Sequence, residues 1–441
     1  MTPGARIGAS IEILTDVFAK PERPADAVVG DAMRARKYVG GGDRRSIAER
    51  VYGVLRRRAQ IGWWLERARS ELGVTPRLRV FLDVLLSDGW TVSQLEHAID
   101  TGRYRPASLA QVERDVLRRL EGHTWDHPGQ SRAVRLNIPE WIEPLFDAAF
   151  GDRFEPEVAA LAKPASVDLR VNVLRAGRDE ARVALANYEI ESDPTPLSPW
   201  GLRLKSRLSV VATQPFRDGM VEIQDEGSQI VGLLVDARPG MQVMDYCAGA
   251  GGKTLAIAAR MENKGRIVAC DVSTGRLERS AVRLRRAGVH NVERRPLDAE
   301  GRKWLKRNEA KFDRVLVDAP CTGTGTWRRN PDGRWTLSPL EIAELPPKQS
   351  EILDAAAKLV KPGGRLVYAT CSLLPVENEE RVAAFLAAHP DFSALPAPQV
   401  WAEAVGTPFP EAASSGAYLR LTPARHGTDG FFAAILERMA T

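Results

Sequence analysis

Two cysteines stand where reactive groups would be useful. Cys321 follows the apolar run FDRVLVD (residues 312 to 318) within DAPCTGTG, and Cys371 lies near the end of KPGGRLVYATCS (361 to 372). Both runs have the length and apolar content of buried strands, and Pro320, Gly323 and Gly325 shape the turn after the first. A strand ending beside a cysteine delivers its sulfur to the sheet edge, and two such deliveries to one edge point to covalent catalysis. Methylation of a pyrimidine at C5 needs this equipment. C5 becomes nucleophilic once a thiolate has added at C6, and a second group must then remove the C5 proton so that the thiolate is expelled. These residues alone leave open which thiol does which. An ordinary thiol of pKa about 8.5 is only a few per cent ionised at pH 7, so the nucleophile requires activation or positioning. Lys253 is a candidate for that task, and Asp318 for bonding the amino edge of cytosine.

The reaction also needs a donor, and residues 243 to 254, VMDYCAGAGGKT, read as strand, glycine-rich turn and helix start. Such a turn, with a helix N-terminus behind it, suits an anionic or polar part of a cofactor. It is neither of two familiar motifs. A dinucleotide fingerprint would place glycine at 254, where Thr254 stands; a phosphate-binding P-loop would place its first glycine at Cys247. The near miss to the P-loop keeps an RNA-dependent ATPase as the alternative. About twenty residues beyond Gly251, the next strand ends in Asp271, where an acid grips a ribose hydroxyl pair, which favours an adenosine-type cofactor.

Those residues need a sheet to hold them. Strands at 242–245, 266–270, 291–295, 312–317 and 364–369 alternate with helical stretches, which predicts a Rossmann-like α/β domain over 217–441, its parallel sheet covered on both faces. Asp245, Asp271, Asp298, Asp318 and Cys371 then fall at or just past strand ends, where such sheets bind ligands. Upstream, 136–216 reads as a small α/β module of ferredoxin-like or RNA-recognition-like type, with a helix over 138–150, strands at 167–174 and 201–204, a helix at 179–188 and a turn-rich stretch at Pro194, Pro196 and Pro199. Residues 1–130 read as helices. The clearest spans 43–70, with Asp43 as N-cap and one stripe of Ile47, Val51, Val54, Ile61, Leu65 and Ala68; others fall at 75–86, 92–99 and 109–120.

With 44% apolar and 27% charged residues in 441, the composition is that of ordinary globular proteins. No apolar run is long enough to span a membrane, and the start shows no export signal, so a cytoplasmic enzyme is expected. The net charge of +5 is small, but residues 276 to 307 carry eleven Lys or Arg against four acids, and Arg44, Arg45, Arg50, Arg56, Arg57 and Arg58 form a second cluster. Each cluster alone suits a solvated face; two make nucleic acid a reasonable partner. The second is expected to be a basic face turned outward from a helical bundle. Trp327, Arg328, Arg329, Arg334 and Trp335 interleave rings and charges, which suits either stacking on unpaired bases or local packing. The four cysteines show no CxxC spacing, so no metal is expected, Cys270 reads as a core residue, and the six histidines form no cluster.

The segments VMDYCAGAGGKT, the DVS after the second strand, VLVDAPCTGTGTWRRNPDGRW and YATCSLLPVENE resemble the Sun or Fmu family of RNA cytosine-5 methyltransferases. VEIQDEGSQ and the terminal GTDGFF are similar to that family too. The arginine-rich DRRSIAERVYGVLRRR and the LRVN strand resemble its RsmB-like branch, whose N-terminal region is a NusB-like helical RNA-binding domain. The resemblance implies S-adenosylmethionine as donor, Cys371 as the nucleophile at C6 and Cys321 as the residue that releases product. It implies that Cys247, Ala248, Gly249, Ala250, Gly251, Gly252, Lys253 and Asp271 surround the cofactor. Asp298 would lie near the adenine, Asp318 between cofactor and base, and Arg276 would be a further contact. The family carries alanine and proline where this chain has Gly249 and Ala250, so a freer loop is expected. The implied partner is RNA, 16S ribosomal RNA first and transfer RNA second, bound by a monomer with neither membrane nor metal. An RNA-binding factor without catalysis is a third reading, separable by whether the donor binds.

Overall fold

The computed structural model describes residues 1–68, 72–100 and 102–440. The chain forms two compact units, Met1–Lys163 with Trp327–Leu337, and Pro164–Thr326 with Ser338–Thr441.

The first unit is helical. Pro3–Ala19, Gly41–Arg56, Arg58–Arg67, Pro76–Asp88, Val92–Asp100 and Gln111–Leu120 close on a core that includes Ile13, Leu14, Ile47, Val51, Phe81 and Leu117. The helix expected over 43–70 is two helices, broken at Arg57 (φ −97°, ψ 19°), and its expected last residues lie outside the described ones. Gly40, not Asp43, is its N-cap. Asp43 sits in the first turn, where a carboxylate suits the helix dipole, and accepts from the Met1 amino group at 2.8 Å. The helices Arg132–Leu136, Glu143–Phe150 and Phe154–Leu161 belong to this unit. Buried Asn137 explains part of that: its side-chain amide donates to Gln60 Oε1 at 2.8 Å, and its Oδ1 accepts from the Gln60 backbone at 3.1 Å.

Trp327–Leu337 also packs in this unit. Arg334 is fully buried and donates to the carbonyls of Asn137 (3.0 Å), Leu161 (2.9 Å) and Trp327 (3.4 Å). Burial first, and then the charge of Arg56, push its pKa down to about 9. Trp327 is buried against Phe146, and the Trp335 indole donates to the Leu55 carbonyl at 3.2 Å. Of the two uses the sequence allowed for this loop, packing holds these three side chains.

The second unit contains two sheets. β1 (Asp168–Val171), β2 (Ser192–Pro194), β3 (Gly201–Leu204) and β4 (Val221–Ile223) form an antiparallel sheet in the order β2-β3-β1-β4. The larger sheet holds β5 (Gln242–Asp245), β6 (Arg266–Asp271), β7 (Val292–Pro296), β8 (Phe312–Asp318), β9 (Val360–Thr370), β10 (Phe392–Leu395), β11 (Ser414–Ser415), β12 (Tyr418–Leu421) and β13 (Phe431–Arg438). Its order is β11-β12-β13-β9-β8-β5-β6-β7, with β10 also on β13. β5 to β9 are parallel as expected, but β10 to β13 are antiparallel, so the sheet is mixed. Alternate residues feed two cores: Leu316, Val367 and Ile435 lie in one, Val315, Val317, Tyr368 and Phe432 in the other. Among the described residues no helix is long and apolar enough to cross a membrane.

Candidate active site

β8 and β9 are parallel neighbours, with Asp318 level with Ala369. The chain therefore reaches Cys321 three residues past one strand end and Cys371 just past the other. Their sulfurs lie 3.4 Å apart, and both residues are half-buried. The loop that carries Cys321 is pressed against its neighbours at Gly325, whose amide donates to the Cys371 carbonyl at 2.9 Å and whose carbonyl accepts from the Gly430 amide at 2.8 Å. A Cβ there would sit 2.4 Å from the Gly430 oxygen, so only glycine allows this approach.

The hydrogen bond to Cys371, then burial, then the negative charges of Cys371 and Glu377 hold the Cys321 thiol well above the usual range, so Cys321 keeps its proton. Lys253 stands on the helix Gly252–Arg260 and donates to Asp318 Oδ2 at 2.6 Å. Burial opposes its charge, but Asp318, by hydrogen bond and charge, and Cys371, by charge, outweigh that and raise its pKa. Lys253 is therefore a fixed cation and not a base. Cys321 and Cys371 lie side by side, and either sulfur can donate to the other.

The glycine turn joins β5 to that helix. Gly249 (φ +55°) and Gly251 (φ +81°) take left-handed backbone, and a Cβ on Gly251 would lie 3.0 Å from that of Ser280. Several amides expected to face a ligand serve the turn itself: Ala248 N donates to the Cys270 carbonyl (2.8 Å), Gly249 N to Asp271 Oδ2 (2.9 Å) and Gly251 N to the Ala248 carbonyl (2.9 Å). Arg283 donates to the Ala250 carbonyl at 2.9 Å, so a loop expected to be freer is tied at its centre. Asp271 also accepts from Ser273 N at 2.7 Å, which fixes its carboxylate at the end of β6 beside the turn. Gly249 without a side chain, Gly252 at the helix start and a fixed acid fit an adenosine-type cofactor. Burial, followed by the charges of Asp318, Asp245 and Asp271, raises the Cys247 thiol well above its usual range, so it is no rival nucleophile. Cys270 is a core residue, pushed up to about 12 by burial. Asp245 is buried, accepts from the Thr254 hydroxyl at 2.6 Å and is pushed up to about 7, chiefly by burial.

Two expected contacts stand further out. Asp298 is exposed and caps Ala299–Lys306 by accepting from Gly301 N at 2.8 Å; Arg276 is exposed on the first turn of Thr274–Ala287. Among the described residues, neither makes a side-chain hydrogen bond to the turn or the thiols. Sequence reasoning missed Glu377, Thr322, Ser372 and Gln349, which bond to one another behind the thiols. The one available signal was the position of PVEN directly after TCSLL.

The basic clusters differ. Of the six arginines from Arg44 to Arg58, Arg45 alone is exposed. Arg44 donates to the carbonyls of Met33, Arg36 and Val39, Arg50 and Arg57 bind Asp83, and Arg58 lies over Phe18 and Trp335. The expected outward basic face of that helix is thus mostly turned to structural use. Eight of the eleven cations between 276 and 307 are exposed, among them Arg276, Arg285, Arg294 and Lys306.

The family profile described as "16S rRNA methyltransferase RsmB/F" matches residues 233–437, and the ferredoxin-like domain of RsmF/B-like methyltransferases matches 138–211. A protein of Synechocystis named probable ribosomal RNA small subunit methyltransferase B is 33% identical over 90% of this chain and 91% of its own. A Bacillus subtilis protein of the same name is 30% identical with the same coverage. Among solved structures, PH0851 superposes with a TM-score of 0.79 at 28% identity over 99% of both chains. A methyltransferase homologue from Pyrococcus horikoshii does so with 0.59 at 30% identity, over 70% of this chain and 97% of its own.

Proposed function

Because this chain belongs to the 16S rRNA methyltransferase RsmB/F family, we propose that it methylates a cytosine of small-subunit ribosomal RNA at C5, through a covalent bond between Cys371 and C6. It is an RNA methyltransferase, and S-adenosylmethionine supplies the methyl group when bound. The observation that carries the finer reading is the thiol pair: two sulfurs 3.4 Å apart just past the ends of neighbouring parallel strands, with the Lys253–Asp318 pair at the same sheet edge.

Residues 247 to 253, with Asp271 and Asp318, hold the donor, and Arg276 and Asp298 extend that site outward. The Cys371 thiolate adds at C6 and C5 becomes the nucleophile. Lys253, neutralising Asp318 and facing Cys371, stabilises the charge on that sulfur before attack. Once Cys371 is bonded to carbon it no longer accepts from Cys321. With its own proton passed to water, Cys321 takes the C5 proton, the C5–C6 double bond re-forms, and the C6–S bond breaks to return Cys371 as the thiolate. The target base must be unpaired or extruded, at a cost of a few kcal/mol when paired. The exposed cations between 276 and 307 meet phosphates, and the helical residues 1–130 act as an RNA-binding domain in the cytoplasm.

Purified enzyme is incubated with 16S RNA and isotopically labelled donor, and the RNA is digested to nucleosides. Label in 5-methylcytidine is the expected result; label in any other nucleoside contradicts the reading, and 5-methylcytidine formed in transfer RNA alone changes the substrate.

A further inference from the structure

Behind the thiols lies a carboxylate for which the reaction above has no use. Glu377 ends the short turn Pro375–Glu377 and is fully buried. Its Oε1 accepts from Thr322 N at 2.9 Å and from Gln349 Nε2 at 3.0 Å; its Oε2 accepts from Thr322 Oγ1 at 2.5 Å and from Ser372 Oγ. Thr322 directly follows Cys321, and Ser372 directly follows Cys371. One carboxylate therefore grips the residue after each thiol. Among the described residues no cation forms an ion pair with it, and a buried carboxylate is costly unless hydrogen bonds satisfy it. Further bonds extend the network. Thr322 Oγ1 and Thr324 Oγ1 lie 3.1 and 3.3 Å from Ser372 Oγ, Asn378 Nδ2 donates to the Ser372 carbonyl at 2.9 Å, and Gln349 Nε2 also reaches the Pro320 carbonyl at 3.0 Å.

Resting on the proposed thiol chemistry, we infer that Glu377 is a positioning residue that clamps the Cys321 and Cys371 loops together and sets the separation of their sulfurs. Beyond the strand ends the two loops share one backbone bond near the thiols, Gly325 N to the Cys371 carbonyl, so the rest of their relative placement falls to side chains. Glu377 accepts three bonds from the two loops and a fourth from Gln349 on the helix Pro339–Ala357, while neither sulfur is itself bound by the carboxylate. Glu377→Gln keeps the shape but removes the charge and forces the Thr322 and Ser372 hydroxyls to turn from donating to accepting, which exchanges charge-assisted bonds for weaker neutral ones.

The test uses the full-length enzyme. For Glu377→Gln, kcat for RNA methylation is expected to fall about a hundredfold, the loss that follows a misplacement of about 1 Å, with the donor KM within about twofold of wild type. The pH profile of Cys321 alkylation by iodoacetamide, read by mass spectrometry, shifts down by on the order of one pH unit, because Cys321 loses both its tight contact with Cys371 and a nearby negative charge. Should the variant not fold, Thr322→Val removes one donor only and is expected to cost about tenfold in kcat. A wild-type kcat in the variant that folds, or an alkylation profile that superimposes on wild type, overturns the inference. If wild-type enzyme itself forms no 5-methylcytidine, the proposed function fails, and the alkylation profile still judges the clamp.

Discussion

At the carboxyl edge of the large sheet, Cys321 lies against Cys371, Lys253 against Asp318, and Asp271 against the glycine turn. In the helical unit, residues of equally suggestive type are spent on packing. Arg334 is sunk among three carbonyls, Arg50 and Arg57 share Asp83, and Arg44 closes a turn. The difference follows from what each element leaves exposed. A parallel strand stops, and the residue after it must face the edge. An arginine beside a helix stripe has a long stem and five donors, and can satisfy carbonyls in any neighbouring turn. Residue type predicts placement better where the backbone dictates direction.

The sharpest break in this comparison would come from Lys253→Met. Removing the fixed cation is expected to slow methylation by on the order of a hundredfold with the enzyme still folded, as measured in single-turnover assays. A rate near wild type would mean that the edge, too, spends its charges on structure. In the helical unit, Arg334→Ala is expected to act through stability. It leaves three buried carbonyls without their donor and opens a cavity, costing about 3 kcal/mol. Urea denaturation, with hydrogen exchange over Phe154–Leu161, reads that loss; a variant of unchanged stability with weakened RNA binding would overturn the packing role. The smallest effect is expected where cations are exposed. Replacing Arg285, Arg294 and Lys306 together by Gln should weaken RNA binding about tenfold and flatten its salt dependence without lowering the melting temperature. Arg50→Ala should do the reverse, lowering melting while leaving the salt slope alone.

Much of the edge was legible in the chain. FDRVLVD and RLVYAT announce buried strands by composition alone, and the acids and cysteines just beyond them need no tertiary information to be placed. Other features depend on partners far away in sequence. Arg334 bonds Asn137 across 197 residues, so nothing local distinguishes it from a solvated arginine in a basic loop. Glu377 reaches Thr322 across 55 residues, and a glutamate after proline and valine carries no sign of full burial. The break at Arg57 lies inside an uninterrupted apolar stripe, with no proline to mark it. The antiparallel strands β10 to β13 went unread because β13 is an apolar run of the kind that fits a buried strand of either direction.

In the proposed reaction two sulfurs serve one pyrimidine in different roles. A denaturing gel of Cys371→Ser and Cys321→Ser, each incubated with RNA substrate and S-adenosylmethionine, tests it most directly. A slow-migrating protein–RNA band from Cys321→Ser, with neither band nor methylation from Cys371→Ser, is the predicted result. A band from Cys371→Ser alone would reverse the two roles, and full methylation by either variant would contradict the account.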